Sequence, residues 1–579
     1  MKSKIQRTPQ GLFSLMRRHP YMLTIALCGV LLPFGYADRA NINAGSCIYL
    51  GVIAVIASLT AIFGFNLGKS LIEKLILGGI SSVSVTAVML IIGFVPQKTL
   101  AISLTALTIA LIATLLIKRS GAISDTSIIM LLILLGITIR FVYALYTGSG
   151  DRQHDVGSWG GTAGHLGYIE YWNTYNFKLP DKSFLPDFDL TGYTYWQYYH
   201  PPFHHWLMAG LLSVLNALGV PYSTAAEATQ MLPVLYSSLT MIVSYRIFRL
   251  IKLKGMPLIA AMAIMCFHPT FILFGGSFNN DMLLMLMVMS SIMWGLRWYR
   301  DPGVGNIVPL ALCIGLAMMT KLSGWMVAPA VAMLFLTVLI KNIRKPLKYI
   351  GQYALFAVIC APLGLWWQVR NLILFKLPLT YVPMLDKSMS MYSGDMSLTQ
   401  RLLSFGNGQL SYVYGSIKLI DAPFDEYNPT LGLFKTAMFD ECNNSISNLH
   451  YPQISVTGPI LFWLSVILFT VSFICFIVMM IKKNSAVNGT ERAYFALIFA
   501  THLISYYMFA IAYPFSCTFN IRYCMPLIPL CAMGLALALQ RLKETKKPTA
   551  LWFGRVMYAL TAAFCVMSYV VYTQVGITA

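Results

Sequence analysis

A histidine and a carboxylate side by side, His154-Asp155, lie near the start of a polar stretch running from Gly148 to Pro202. The stretch holds six acids (Asp151, Asp155, Glu170, Asp181, Asp187, Asp189) and His165, and it closes on the aromatic run YTYWQYYHPPFHHW. A carboxylate in such a loop can serve as a general base or bind a metal. Asp before Val-Gly-Ser also suits a helix N-cap, and the residues alone leave both open. In the aromatic run, Tyr195, Trp196, Tyr198 and Tyr199 offer faces to a sugar or a lipid chain, or form an interfacial aromatic belt. His200, His204 and His205 have the side chains for metal, but Pro201-Pro202 places His200 ahead of the following helix and breaks the i,i+4 face. No HExxH glutamate and no nearby cysteine completes a ligand set, which favours hydrogen-bonding histidines.

Two further groups carry charge where hydrophobic segments meet. SFNND puts Asn279, Asn280 and Asp281 in a tight turn, and Asp281 at a helix start complements the helix dipole. Lys321 in MMTKLSG, Arg370 in WWQVRN and Arg522 in FNIRYCMP are isolated cations at helix ends. Each alone could snorkel. Three converging at membrane depth would suit a phosphate or pyrophosphate, since an ionisable group there is a functional hypothesis by default.

The elements that must position these residues are membrane helices. Of 579 residues 57% are hydrophobic and 11% charged, against about 25% charged in soluble globular chains. Apolar runs of about 17–25 residues recur, long enough to span a bilayer. The net charge of +20 comes from short basic clusters between these runs, the pattern of the positive-inside rule rather than of a nucleic-acid surface. Most of the eleven cysteines fall in apolar runs and read as core residues; Cys517 and Cys524 flank an outer turn and could pair. The basic start MKSKIQRTPQGLFSLMRRHP leads into a helix without a small-residue cleavage site.

Basic clusters set the sidedness. Lys2 to Arg18 place the N-terminus in the cytoplasm, and spans are expected at 20–36, 46–65, 75–95, 99–117 and 124–146, which leaves 147–202 outside. If 203–219 crossed next, Arg246, Arg249, Lys252 and Lys254 would lie outside, against the charge rule. That segment is therefore read as a horizontal or re-entrant helix at the outer interface. Spans follow at 229–249, 256–275, 282–297, 304–320, 323–341 and 349–369. A second outer region, 371–455, then precedes spans at 457–481, 491–513, 524–541 and 550–572. Of the 21 acids, six fall in the first outer stretch and seven in the second, in keeping with this sidedness. The expected architecture is an all-α polytopic bundle of about 15 spans with an interfacial helix and two extracytoplasmic loop regions. It divides into a four-span extension (1–120), a membrane core (121–370), the loop region (371–455) and C-terminal helices (456–579).

The ordered motifs HDVGSW, YYHPPFHHW, NNDMLLM, MMTKLSG and IRYCMPLIPL resemble those of the GT-C superfamily of integral-membrane glycosyltransferases. The likeness is to the protein O-mannosyltransferase-like and aminoarabinose-transferase-like families, over roughly residues 124–541. It implies a polyprenyl-phosphate sugar donor and a glycan, lipid or protein acceptor at the outer face of a bacterial plasma membrane. It also implies inverting transfer, with Asp155 as general base. Lys321, Arg522 and Arg370 would hold the phosphate; His154, Tyr198, Tyr199, His200, His204, Asn280, Asp281 and Tyr523 would line the donor site. This chain departs in having four extra N-terminal spans and His154 where some members carry a second acid, with Asp151 or Glu170 as substitutes. It also lacks an Asp-x-Asp at the second acidic site. No cofactor is required by the motifs, and a divalent cation stays open. A transporter or flippase of lipid-linked glycans is the main alternative. It is disfavoured because the polar residues gather at one face and the two halves do not correspond.

Overall fold

The computed structural model describes residue 71 and residues 125–145, 155–389, 391–404, 427–440, 456–482 and 486–577. The four spans expected before residue 120, together with Asp151 and His154, lie outside the described residues, as does much of 371–455.

A helix occupies each of the other eleven expected spans. They are α1 (Asp125–Leu145), α5 (Met231–Leu250), α6 with α7 (Gly255–Phe267 and Pro269–Leu273) and α8 (Asp281–Arg300). Then come α9 (Val304–Thr320), α10 (Ala328–Lys341), α11 (Pro346–Phe375), α14 (Thr457–Ile481), α15 (Gly489–Ala512), α16 (Leu527–Thr545) and α17 (Pro548–Ile577). Shorter helices lie between them: α2 (Gly164–Thr174), α3 (Phe203–Ala217), α4 (Tyr222–Ala228), α12 (Leu398–Leu403) and α13 (Pro429–Phe439). Among the described residues there is no strand; one isolated bridge joins Tyr392 to Phe515. Among the described residues, seven helical stretches are long and apolar enough to cross a membrane, or eight if the bent α6–α7 pair is one span. The chain is an integral, multi-pass membrane protein. The expected total of fifteen includes four spans outside the described residues, and of the eleven others not all pass as full membrane spans. Arg541, Lys543 and Glu544 fall within α16, and α9 is a shorter apolar helix. The helix α3, in the segment expected at the interface, has 15 residues, about 22 Å of helix, short of the ~30 Å hydrocarbon core.

The expected span 256–275 is bent by 47°. Pro269 has no N–H and drives His268 to an extended conformation (φ −65°, ψ 125°). Three carbonyls thereby lose their helical donors, which inside a bilayer costs several kcal/mol each. Side chains replace them. Arg140 on α1, fully buried, donates to Met265 O at 3.0 Å and Cys266 O at 2.6 Å. Ser568 on α17 donates to Phe267 O. Arg140 also bonds Ser237 Oγ on α5 at 2.6 Å, and that hydroxyl donates to Phe271 O. The guanidinium thus joins α1, α5 and α6 behind the turn that carries Asp281.

At the opposite end of the bundle, Arg300 at the C-terminus of α8 pairs with Glu491 at 2.6 Å and donates to Leu250 O at 2.7 Å. Glu491 closes a capping box with Asn488 at the start of α15. The C-termini of α5 and α8 and the N-terminus of α15 therefore meet, one helix length from the N-terminus of α8.

Candidate active site

Asp155 sits in a loop that caps α2. Its carbonyl accepts from His165 N at 3.1 Å, and Val156 O accepts from Leu166 N at 2.8 Å. These bonds satisfy amides that a helix start leaves without partners. The reversal needs Gly157 (φ +71°) and Gly164 (φ +80°): a Cβ on Gly157 would lie 2.1 Å from Ala163 O, and one on Gly164 2.5 Å from Gly157 N. Asp155 itself is left-handed (φ 57°), a conformation that Asp tolerates better than most residues. Glu170, a candidate second acid, accepts from Gly160 N and fastens this same loop.

From the other end of the chain, a 3-10 turn (Ile521–Tyr523) brings Arg522 to Asp155. Both terminal guanidinium nitrogens bond Asp155 Oδ2 at 3.2 Å, with Arg522 6% and Asp155 37% exposed. The turn is fixed from behind. Arg522 N donates to Asn520 Oδ1 (2.9 Å), Asn520 Nδ2 to Asp440 Oδ1 (2.8 Å), and Ile521 N to Thr436 Oγ1 on α13 (2.8 Å).

Lys321, between α9 and the 3-10 turn Leu322–Val327, pairs with Asp281 at the start of α8 at 2.6 Å. Burial pulls the ammonium below the usual lysine range, and Asp281 opposes that. Asn280 Nδ2 donates to Thr320 O at 3.0 Å, setting the end of α9 beside the turn. The Tyr523 ring lies between the two cations, 5.2 Å from Lys321 Nζ and 4.9 Å from the Arg522 guanidinium carbon. Such contacts contribute about 0.5–2 kcal/mol each.

Asp155, Asp281, Lys321 and Arg522 line one cavity of about 710 Å³, within the ordinary size of a ligand site. Tyr199, His200 and Tyr523 line it too, with His165, Gln197 and Gln368. Apolar walls come from Trp325 and Met326, from Leu377–Pro383 and from Phe509, Phe515 and Phe519. Beyond the two acid–base pairs, no described side chain that lines it is a carboxylate, lysine or arginine.

Four of the expected site residues lie elsewhere. Arg370 turns along α11, over Trp367 at 4.7 Å, and donates to Pro180 O and Asn371 Oδ1. It fastens the segment around Pro180 to α11, so of the three cations Lys321, Arg370 and Arg522 only Lys321 and Arg522 line the cavity. Tyr198 is buried against Tyr168 and donates to Gly167 O at 3.0 Å. His204 donates through Nε2 to Phe278 O at 2.9 Å, tying α3 to the SFNND turn. Asn280 is spent on Thr320. Each hydrogen-bonds a backbone carbonyl away from the cavity.

The histidine His165, seen in the sequence only as one member of the polar stretch, enters the site with two others. His165 Nδ1 and His205 Nε2 are 2.9 Å apart, and the His165 ring stacks on those of His205 and His200 at 5.2 and 6.0 Å. Burial holds all three imidazoles well below the usual histidine range, so they are neutral. Among the described residues no group of three or more His, Cys, Asp or Glu is placed to hold a metal ion. Cys524 is a free thiol, so the Cys517–Cys524 pairing is not formed.

No curated protein matches this chain. Among solved structures it is similar to ArnT from Cupriavidus metallidurans in the apo state: 14% identity, 78% of this chain and 76% of that one, TM-score 0.43. It is also similar to the Archaeoglobus fulgidus oligosaccharyltransferase in the apo form: 14% identity, 78% and 56% coverage, TM-score 0.46. The match thus spans about half of the archaeal protein. That protein, in complex with an inhibitory peptide and a dolichol-phosphate, matches at 12% identity, 78% and 55% coverage, TM-score 0.41. Residues 199–366, which carry the aromatic-proline motif, Asp281 and Lys321, match the family model described as dolichyl-phosphate-mannose-protein mannosyltransferase, and the GT-C glycosyltransferase resemblance of the motifs holds over that segment.

Proposed function

We propose that this protein moves a sugar from a polyprenyl-phosphate donor to an acceptor hydroxyl at the extracytoplasmic face of the membrane. The observation that carries this reading is the meeting of Asp155 and Arg522, 367 positions apart, in a cavity that also holds the Lys321–Asp281 pair. The basic ends of α5 and α8 lie a helix length away, which by the charge rule supports an outer location for the cavity. The family model over 199–366 supports a glycosyltransferase.

In the proposed reaction the acceptor oxygen attacks the anomeric carbon and inverts it. The bond from that carbon to the lipid phosphate oxygen breaks, and the hydroxyl proton passes to Asp155. Polyprenyl phosphate leaves with the bonding pair, held by Lys321 and Arg522; fixed charges facing a developing anion at a water-poor site are often the largest catalytic term. Arg522 has two possible anions, the Asp155 carboxylate and the donor phosphate. Donor binding draws it toward the phosphate and unmasks the base, so the donor binds first. Residues 377–383, from the second outer region, wall the cavity and would meet the acceptor. Whether hexose or pentose is transferred depends on contacts within this cavity.

Purified protein reconstituted with a labelled polyprenyl-phosphate sugar and an acceptor extract tests this. Release of free polyprenyl phosphate with labelled product supports transfer. Movement of the intact lipid between leaflets without release supports a flippase instead.

A further inference from the structure

The proposed reaction leaves one wall of the cavity without a task. Trp196 and Gln197 line it, on the aromatic run that leads to Tyr199 and His200. The backbone holds Trp196 beside the base. Gly164 N donates to Trp196 O at 3.0 Å, and the next amide, His165 N, donates to Asp155 O at 3.1 Å. Two successive amides at the start of α2 thus fix the turn that carries the indole to the loop that carries Asp155. A second ring supports the first. Tyr193 stacks on Trp196 with centroids 5.4 Å apart and planes 18° from parallel, and Tyr193 is itself 56% exposed. Gln197 follows at φ 83°, in the left-handed region that non-glycine residues seldom occupy; residues held so cluster at ligand clamps. Its side chain is almost fully buried, lines the cavity and leaves its carbonyl without a partner. A buried acceptor of this kind asks for a donor.

A pyranose answers both features. One face of its ring carries C–H bonds, which meet the negative face of an aromatic ring. Its edge carries hydroxyls, which donate to a carbonyl. Position decides which sugar this is. In the proposed reaction Asp155 takes the proton of the acceptor hydroxyl, so a group resting on Trp196, beside Asp155, lies on the acceptor side.

We propose that the acceptor is itself a carbohydrate, whose terminal sugar stacks on Trp196, backed by Tyr193, and donates one hydroxyl to Gln197 Oε1 while another faces Asp155. This rests on the glycosyl-transfer reading and adds the acceptor class to it. The new bond joins the acceptor sugar's oxygen to the anomeric carbon, the hydroxyl proton passes to Asp155, and polyprenyl phosphate leaves with the bonding pair. Trp196 and Gln197 then determine acceptor specificity, and the product is a sugar–sugar linkage.

The test uses the full-length protein in proteoliposomes, a panel of labelled polyprenyl-phosphate sugars, and a cell-envelope extract of the source organism as acceptor, with linkage analysis of the labelled product. Release of polyprenyl phosphate from no donor removes the transfer reading itself. Given release, the label is expected on a sugar hydroxyl. Label on serine or threonine, on a non-sugar lipid hydroxyl or on water overturns the proposal. Trp196→Ala is expected to raise the half-saturating concentration of extract by about 3–10-fold relative to that of donor, the size of one lost aromatic contact. Trp196→Phe keeps a ring face and is expected to recover most of that loss. Equal shifts for donor and acceptor overturn the assignment of Trp196, since a general loosening of the fold moves both. If Trp196→Ala does not fold, Tyr193→Ala, at an exposed position, takes its place and is expected to move the acceptor value more than the donor value. No acceptor shift in that variant overturns the platform.

Discussion

Replacing Asp281 by Asn removes the charge opposite Lys321 while keeping an oxygen for its ammonium. The pair is 2.6 Å apart; the carboxylate side chain is 1% exposed and the lysine 14%. Deleting one partner of a buried pair costs about 3–5 kcal/mol, because the other charge stays buried uncompensated. Lys321 can escape that cost by losing its proton. Burial already lowers its proton affinity, and Asp281 is the main influence holding it up. Without the carboxylate it deprotonates at lower pH. In the proposed reaction the ammonium must be charged to face the leaving phosphate, so activity is expected to be lost as pH rises through the lowered value and regained on acidification. If the whole cost appears as lost protonation, kcat/KM at alkaline pH falls roughly 10²–10⁴-fold, at 1.36 kcal/mol per tenfold change. Rates of polyprenyl phosphate release measured from neutral to strongly alkaline pH read this directly. Lys321→Met is the control and is expected to be inactive throughout. An Asp281→Asn protein that folds and keeps the wild-type alkaline limb refutes the reasoning.

Three further outcomes follow from particular contacts. Arg140→Met leaves Met265 O and Cys266 O without donors, at about 1–3 kcal/mol each, and is expected to lower the melting temperature in detergent well below that of the wild type; an unchanged melt contradicts the clamp. Gly157→Ala forces a side chain into a left-handed position, about 1–2 kcal/mol, and against Ala163 O, so release should fall steeply with the bundle still folded. Full activity in that variant contradicts the role of the Asp155–Gly164 loop. Burial pushes His204 down to about 4 and holds His165, His200 and His205 well below the usual range. These imidazoles take up protons in the unfolded chain below about pH 6.5 and not in the folded one. Stability is therefore full above that pH and declines as pH falls toward about 4; a melting temperature flat across that window contradicts buried neutral histidines.

The sequence made the membrane helices legible because hydropathy acts locally and each span carries its own signal. The break at His268 was also present, as an X-Pro pair inside an apolar run, but it was hidden by the run's overall hydropathy. Arg140 escaped for the same reason, although an arginine in such a helix is a standing signal. The spacing of the motifs suggested that Asp155, Lys321 and Arg522 gather at one face, and their charges are the reason. What the sequence did not carry was side-chain direction. Arg370 looks like Lys321 in the sequence, an isolated cation at a helix end, yet Trp367 and Pro180 O take it elsewhere. His165 reaches the site through a partner 40 positions away, a pairing decided by how α2 packs on α3.

The most direct measurement is release of polyprenyl phosphate by Asp155→Asn in proteoliposomes, beside donor binding by the same protein. The substitution keeps an oxygen for Arg522 and removes only the capacity to take a proton. Release is expected to fall by about 10²–10⁴-fold, the range for a lost general base, with donor binding and melting temperature retained. Release near the wild-type rate would contradict the account at its centre.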